Sequence, residues 1–392
     1  MTDERPIAIL LTPVLPLPTG SGRSIRAWGW LTELARDFRV EVLVCEPLPS
    51  GWRKPDRYPA VGVRPVAVRT PNPLERWAGI GLPALATLSP RFVYDWSFLS
   101  PSEDLAIDGR VDRIVVFRCY LHGVAQQLFR RFPQAKRTLD MDDLESSTRS
   151  SVAGASWRLG RVGAAVVQFT SGLQYRCIEA PLCSDYHGVT LANPEDAAQL
   201  QRRTATPISV RPNSVEAPPD PLPVQDTGRL NLLFVGTLVY PPNEEAVKEI
   251  VTRLAPLLRQ RLAVPFTLTI AGRGAPRELR DLLRDTNEIR FFDGPEDLRA
   301  LYADSDLVLV PLRAGGGTKV KFIEALAHRR PVLSTSEGAR GIDAEAREHF
   351  FPAETPDEFA DVIERLSRNP QERLRVAEAG WQHYRQLYRP FR

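Results

Sequence analysis

The strongest constraint on this chain is an alternation that runs through it twice. Short apolar runs alternate with amphipathic helical stretches, the pattern of a parallel sheet with crossover helices. In the first pass "IAILLT", "VEVLVC", "RIVVFR", "KRTLDM", "GVTLAN" and "ISVRP" read as buried strands, with helices expected over 23–36 and 121–131. Asn193-Pro194 opens another helix with an N-cap and a proline at the first helical position. Residues 212–229, "PNSVEAPPDPLPVQDTGR", have the proline-rich polar composition of a linker. The alternation then restarts with "LNLLFVGT", "FTLTIAG", "IRFFDG", "DLVLVPL" and "PVLST", and helices are expected to begin near Asn243, Pro276, Pro295 and Thr318. Helical patterns over 356–367 and 371–388 close the chain. The expectation is two doubly wound α/β domains, 1–211 and 230–370. A final helix in 371–392 is expected to pack back on the first domain, and ligand is expected between the carboxyl ends of the two sheets.

Length and charge agree with this reading. At 392 residues the chain exceeds one ordinary core, and 43% hydrophobic with 25% charged residues is a globular composition. A net charge of +3 is too small for a nucleic-acid footprint. The first 215 residues hold about 26 basic and 21 acidic side chains, a mild excess that permits an anionic ligand or a peripheral membrane contact. Cys45, Cys119, Cys177 and Cys183 show no zinc spacing and read as thiols of a reducing compartment. "MTDERPIAILLTPVLPLP" has acidic residues where a signal peptide is basic, and prolines break its apolar stretch. No run approaches a membrane span, so a cytoplasmic protein is expected. Trp77 to Leu99 is apolar, aromatic and broken by prolines. It reads either as a covering segment over the core or as a surface for an acceptor or lipid headgroups.

"RAGGGTKVKFIEALAHRRPVLST", 313–335, follows the strand "DLVLVPL" and so sits where open sheets bind ligands. Gly315, Gly316 and Gly317 let the backbone approach an anion, although the Walker consensus is absent. Thr318 is a good N-cap. Lys319 and Lys321 in the first turn oppose the helix dipole unless an anion sits there. Glu324 lies on the order of 9 Å further along the axis, the span from a diphosphate to a ribose. An ordinary Lys321–Glu324 surface pair remains the alternative from this geometry alone.

"VPLRAGGGTKVKFIEALAHRRPVLSTSEGARGID" resembles the donor-binding signature of glycosyltransferase family 4 in a triple-glycine variant. "LLFVGTLVYPPNEEAVKEI" resembles the opening of the second domain of these enzymes, and "PLPTGSGRSIRAWGWLTELARDFRVEVL" their amino-terminal glycine loop. "LDMDDLES" and "VRPNSVE" stand where related chains carry "DxDDxES" and "PNGV". The resemblance implies a GT-B fold, two Rossmann-like domains facing across a cleft, and metal-independent transfer with retention from a UDP-, GDP- or dTDP-sugar. The acceptor would be a lipid-linked glycan or a small natural product. No other cofactor is expected.

By position the resemblance puts Glu324 on the ribose, as the second glutamate of the family's E-x7-E motif. Gly316 stands where the first would be. Gly316, Gly317 and Thr318 would then offer backbone and hydroxyl groups to the sugar or diphosphate. Just after the strand ending at Gly236 the family often carries an arginine and a lysine. Thr237 and Asn243 occupy those places, so charge neutralisation falls to Lys319 and Lys321, with Arg273 of "AGRGAP" as a third candidate. Gly20, Ser21, Gly22 and Arg23 read either as a turn leading into a helix or, by resemblance, as a lid on the diphosphate. Asp140 and Asp142 have a D-x-D form, but Asp142 and Asp143 are read as the acceptor side of the cleft rather than as metal ligands, with loop capping the alternative. Arg118 and Tyr120 are further cleft candidates, as is His122, which could instead cap its helix. Two rival functions stand beside transfer: a GT-B nucleotide-sugar 2-epimerase, and a binding subunit that transfers nothing.

Overall fold

The computed structural model describes residues 5–45, 48, 52–66, 107, 109–218, 228–295 and 297–389. The stretch Trp77–Leu99 and linker residues 219–227 lie outside them. The chain divides into two compact units, one of residues 1–150 and 166–212, the other of 151–165 and 213–392.

In the first unit seven parallel strands lie in the order β3-β2-β1-β4-β5-β6-β7. They are β1 Ile7–Thr12, β2 Arg39–Val44, β3 Gly62–Pro65, β4 Val111–Phe117, β5 Lys136–Asp142, β6 Gly188–Leu191 and β7 Ile208–Val210. β1 shows why such strands read as unbroken apolar runs. Ile7, Ile9 and Leu11 enter a core with Ile114, Leu128 and Tyr175, while Ala8 and Leu10 enter another with Trp30, Leu31 and Val42. Both faces of the pleat are covered, so alternation of side chains gives no alternation of polarity. Each fully buried aliphatic side chain here contributes about 1.5–3 kcal/mol.

The second unit holds six parallel strands in the order β10-β9-β8-β11-β12-β13. They are β8 Leu230–Val235, β9 Phe266–Ala271, β10 Ile289–Phe292, β11 Leu307–Val310, β12 Val332–Ser334 and β13 Phe351–Pro352. β3 and β13 escape sequence reading. Both are short edge strands, "GVRP" and "FP", with too few apolar residues to make a run.

Three boundaries differ from expectation. Residues 151–165 join the second unit, where the Arg161 guanidinium forks onto the buried Glu244 carboxylate at 2.7 and 2.8 Å and Arg158 pairs with Glu245. The described residues 213–218, 228 and 229 of the expected linker also belong to that unit, with Val215 in its core. The closing helix, Pro370–Leu387, belongs to the second unit and packs there on the helix Val320–Ala327. Gly380 lies against Leu326, and the Tyr384 hydroxyl donates to the Val215 carbonyl at 2.5 Å.

Candidate functional site

In the second sheet the chain runs outward from β8 through β9 to β10, then returns to lay β11 on the other side of β8. Loops at the carboxyl ends of β8 and β11 therefore diverge, leaving a crevice suited to a ligand. Gly236 follows β8, and Gly315 to Thr318 follow β11. Lys321 joins the two. A Cβ on Gly236 would stand 2.7 Å from the Lys321 Nζ and 2.8 Å from the Asn243 Nδ2, so only a bare Cα leaves room. Lys321 donates to the Asn243 Oδ1 at 2.7 Å, and Asn243 donates to the Thr237 carbonyl at 2.9 Å. The ammonium also rests 4.2 Å from the centroid of the Phe234 ring. Burial pulls its pKa down to about 7, against the opposing effect of Glu324.

Glu324 is held from the side. The buried Tyr302 hydroxyl donates to its Oε2 at 3.0 Å, and the His328 ring stacks on Tyr302 with centroids 4.4 Å apart. Burial raises the Glu324 pKa, while the Tyr302 bond and Lys321 oppose that rise. Glu324 and Lys321 are one helical turn apart and share a face of the helix Val320–Ala327.

The rest of the loop departs from expectation. Lys319, not Thr318, is the N-cap residue, and no side chain caps the helix. The Thr318 hydroxyl donates instead to the Gly341 carbonyl at 3.5 Å. Lys319 is buried and turns back under the loop, donating to the Gly317 carbonyl at 2.9 Å and pairing with Glu337 at 3.1 Å. An ammonium at that depth needs such partners to offset its lost hydration. Gly315 and Gly317 adopt φ of 144° and 54°, which a side chain would resist. The Gly315 N–H donates to the Ser151 hydroxyl at 2.6 Å and the Gly316 N–H to the Tyr240 hydroxyl at 3.3 Å. Thr237 and Arg273 are exposed beside the crevice, where the Arg273 carbonyl accepts from the Leu238 N–H at 2.8 Å.

The first sheet reverses in the same way between β1 and β4. Gly20, with φ 109°, leads into Ser21, whose hydroxyl caps the helix Gly22–Asp37 by accepting from the Ser24 N–H at 3.2 Å. Arg23 is exposed; burial raises the Tyr120 phenol against the opposing charge of Arg23, while Arg118, Arg149 and Arg23 together outweigh burial and hold Glu145 below its ordinary value. Beyond it lies a buried network. Arg118, the residue after β4, has φ 84° and pairs with Asp142 at 2.9 Å, Asp143 at 3.5 Å and Glu145 at 3.0 Å. Arg26 grips both oxygens of Asp140 at 2.7 and 2.8 Å, and Trp30 donates to the same carboxylate.

Burial would raise the Asp140 carboxyl, but Arg26 and Trp30 hold it below its ordinary value. Its neighbours differ. Burial, and then the Asp143 charge, push Asp142 up to about 7, and burial outweighs Arg118 in raising Asp143. Asp142, the last residue of β5, itself has φ 62°, so the chain leaves two adjacent strands through non-glycine residues in the left-handed region. The D-x-D carboxylates turn to different guanidiniums, Asp140 to Arg26 and Asp142 chiefly to Arg118.

His122 opens the helix His122–Arg131. Its Nδ1 meets the Tyr186 hydroxyl at 2.9 Å and its Nε2 the Asp185 carboxylate at 3.2 Å. The ring is buried, and burial outweighs Asp185 in lowering its pKa. These contacts tie its helix to the turn that precedes β6. Tyr120 is buried, with its ring 5.9 Å from the Arg118 guanidinium.

Comparison with known proteins agrees with this architecture. Residues 229–369 match the family model described as glycosyl transferases group 1. An uncharacterized 44.6 kDa protein in the cps region of Klebsiella pneumoniae is 30% identical over 151 residues, 37% of this chain; the match spans only 39% of that relative's length. Among solved structures, sucrose-phosphate synthase from Thermosynechococcus elongatus superposes with a TM-score of 0.69 at 16% identity, covering 98% of this chain and 95% of that one. A glycosyltransferase from Rickettsia africae gives 0.66 at 12% identity, covering 99% and 95%. Anabaena HepE, solved in complex with UDP and glucose, gives 0.61 at 14% identity, covering 97% and 95%. The expected GT-B fold, with its two Rossmann-like parallel sheets, is therefore the fold of this chain.

Proposed function

We propose that this chain is a glycosyltransferase that moves a sugar from a nucleotide-diphosphate sugar to an acceptor hydroxyl with retention. The observation that carries the reading is the pairing of one cation with one carboxylate at the reversal point of the second sheet. Lys321 sits against the bare Cα of Gly236, and Glu324, one turn on, is oriented by Tyr302. In the proposed complex Lys321 meets the diphosphate and Glu324 accepts from the ribose hydroxyls. Lys321 takes the place of the basic side chain expected near Asn243, because its Nζ is bonded to that residue. As the sugar–oxygen bond breaks, negative charge grows on the diphosphate, and a fixed ammonium in a poorly hydrated crevice stabilises that charge. The departing oxygen takes the acceptor proton, so the reaction needs no strong dedicated base.

For the first unit we propose that the raised Asp142–Asp143 pair hydrogen-bonds acceptor hydroxyls, with Arg118 as a positioning residue. Thermal shift with UDP-, GDP- and dTDP-sugars tests the donor assignment, because a ligand of the native state raises its stability. UDP is the first nucleotide to try, given its presence in the HepE complex. One nucleotide class should raise Tm, and Glu324→Ala should abolish the rise. If no nucleotide sugar shifts Tm, or Glu324→Ala responds like the parent, the proposal fails. Conversion of donor to an epimer without acceptor would replace it by the epimerase reading.

A further inference from the structure

A cavity of about 470 Å³ lies in the second unit between β13, the helix Pro356–Ser367 and the first turns of Pro370–Leu387. Its volume is that of a small-molecule site. Phe351, Pro352 and Val362 give it an apolar lining, and Arg347, Arg365 and Arg375 surround it with a single carboxylate, Glu372. β13 is the edge strand, two strands away from β11 and the crevice described above. The charge round the cavity is only partly paired. Arg365 holds Glu372, and its guanidinium rests 5.8 Å from the centroid of the Phe351 ring. Arg347 and Arg375 are exposed, and neither forms an ion pair among the described residues. The carboxylates one turn from Arg375 are committed elsewhere, Glu372 to Arg365 and Glu378 to Arg329. Glu348, beside Arg347, lies 3.8 Å from the His349 ring nitrogen. Arg347 also has φ 69°, a conformation that a non-glycine residue keeps only where its surroundings fix it. Here its N–H donates to the Phe350 carbonyl at 2.7 Å, and its carbonyl accepts from Arg375 at 3.1 Å. That bond occupies one of the five N–H donors of Arg375.

We propose that this cavity binds a small phosphomonoester, at a site separate from the nucleotide crevice. Two cations without ionic partners call for two negative charges, and a phosphate ester is a small group that carries nearly two at neutral pH. Arg347 and Arg375 grip its oxygens, and its organic body covers Phe351, Pro352 and Val362. Arg365 exchanges Glu372 for a third oxygen, since an exposed arginine–glutamate pair is weak enough to be displaced. A free phosphate ion matches the charge but leaves the apolar lining in water. The inference stands apart from the nucleotide-sugar assignment, which concerns other residues.

Titration calorimetry of the full chain carrying Lys321→Met tests it, because that background removes the cation of the nucleotide crevice. The probes are phenyl phosphate, inorganic phosphate and benzoate. Phenyl phosphate should bind, inorganic phosphate roughly ten-fold more weakly and benzoate more weakly still. Added salt should weaken all three. Adding R347Q/R375Q should weaken phenyl phosphate roughly ten-fold or more, with a thermal melt confirming that the protein remains folded. Glu372→Gln works in the opposite direction. It frees Arg365 at nearly constant side-chain size and should tighten phenyl phosphate by roughly three-fold, a gain that a damaged fold does not produce. No binding of phenyl phosphate, equal affinity in folded R347Q/R375Q, or no tightening by Glu372→Gln would overturn the proposal. Benzoate as tight as phenyl phosphate would overturn the dianion, and inorganic phosphate as tight would overturn the ester and make a free ion the occupant.

Discussion

The phenol of Tyr302 is buried and directs its hydroxyl to the Oε2 of Glu324, 3.0 Å away, although 22 residues separate them. The bond leaves the other carboxylate oxygen for a ligand and fixes the plane in which it is offered. Tyr302→Phe should keep the ring and its stack on His328 while freeing that plane. Losing one such hydrogen bond is worth about 1 kcal/mol, so the Kd for nucleotide sugar should rise roughly five- to ten-fold by calorimetry. kcat should fall less than KM rises. A change confined to Tm, with affinity intact, would reduce Tyr302 to a packing residue.

The two lysines of the loop should separate cleanly. Lys319→Met removes a buried partner of Glu337, which keeps Arg340 at 3.3 Å, and should cost about 1–3 kcal/mol of stability. Nucleotide affinity should stay within about two-fold, because Lys319 faces the loop's interior. Lys321→Met should do the opposite, losing most of the affinity without lowering Tm. Denaturant melts and titration calorimetry of both variants distinguish the roles.

Gly236→Ala isolates the same cation without touching its charge. The new methyl would meet the far ends of two flexible side chains, Lys321 and Asn243, rather than backbone. The fold should tolerate that displacement, but the ammonium must move. A ten-fold or greater loss of nucleotide affinity is expected, with a Tm change of only a few degrees. Unchanged affinity would show that the position of Lys321 is immaterial.

Proton linkage offers a test free of mutation. Burial takes the Lys321 pKa from an ordinary 10.5 to about 7. Between those values the unfolded chain holds a proton that the folded chain lacks, so this group makes stability rise with pH across that window. A diphosphate beside the amine would restore its charge. Binding at pH 8 should therefore take up protons, seen as a dependence of the calorimetric heat on the buffer's ionisation enthalpy. Lys321→Met should abolish the uptake and flatten the stability slope.

The aspartate pair has the reverse slope. Asp142 is raised from 3.8 to about 7, first by burial and then by Asp143, so the folded chain binds the extra proton between those values. Its contribution to stability falls as pH rises through that window. Asp142→Asn should flatten the fall and leave nucleotide binding intact while lowering transfer at least ten-fold. Full transfer by the variant would remove the pair from the proposed acceptor side.

Much of this was legible in the sequence because parallel strands buried on both faces leave continuous apolar runs, as "IAILLT" does. The helix starts were legible where capping is local, as at Asn193, whose side chain accepts from the Glu195 N–H at 2.8 Å. Lys321 and Glu324 could be paired because residues three apart on one helix share a face. Lys319 could not be placed. Its direction is set by Glu337, eighteen residues on, and by the carbonyl of Gly317, neither of which a helix pattern predicts. Tyr302 gave no signal, for a tyrosine in a helix usually reads as core. Arg26 and Trp30 did carry one, a cation and an indole four residues apart on the helix after Gly20, but their partner Asp140 lies 114 positions from Arg26.

The order of strands in the first sheet also bears on how the chain is made. β1 lies between β2 and β4, and Ile7 pairs with Val111, 104 positions later. At about 5–20 residues per second, a ribosome leaves one edge of β1 unpartnered for roughly 5–20 s. During that interval β1 and β2 present apolar, unpaired backbone that the finished sheet conceals. Slow synthesis or a weakened β4 should therefore reduce yield through aggregation, even where the folded protein is stable.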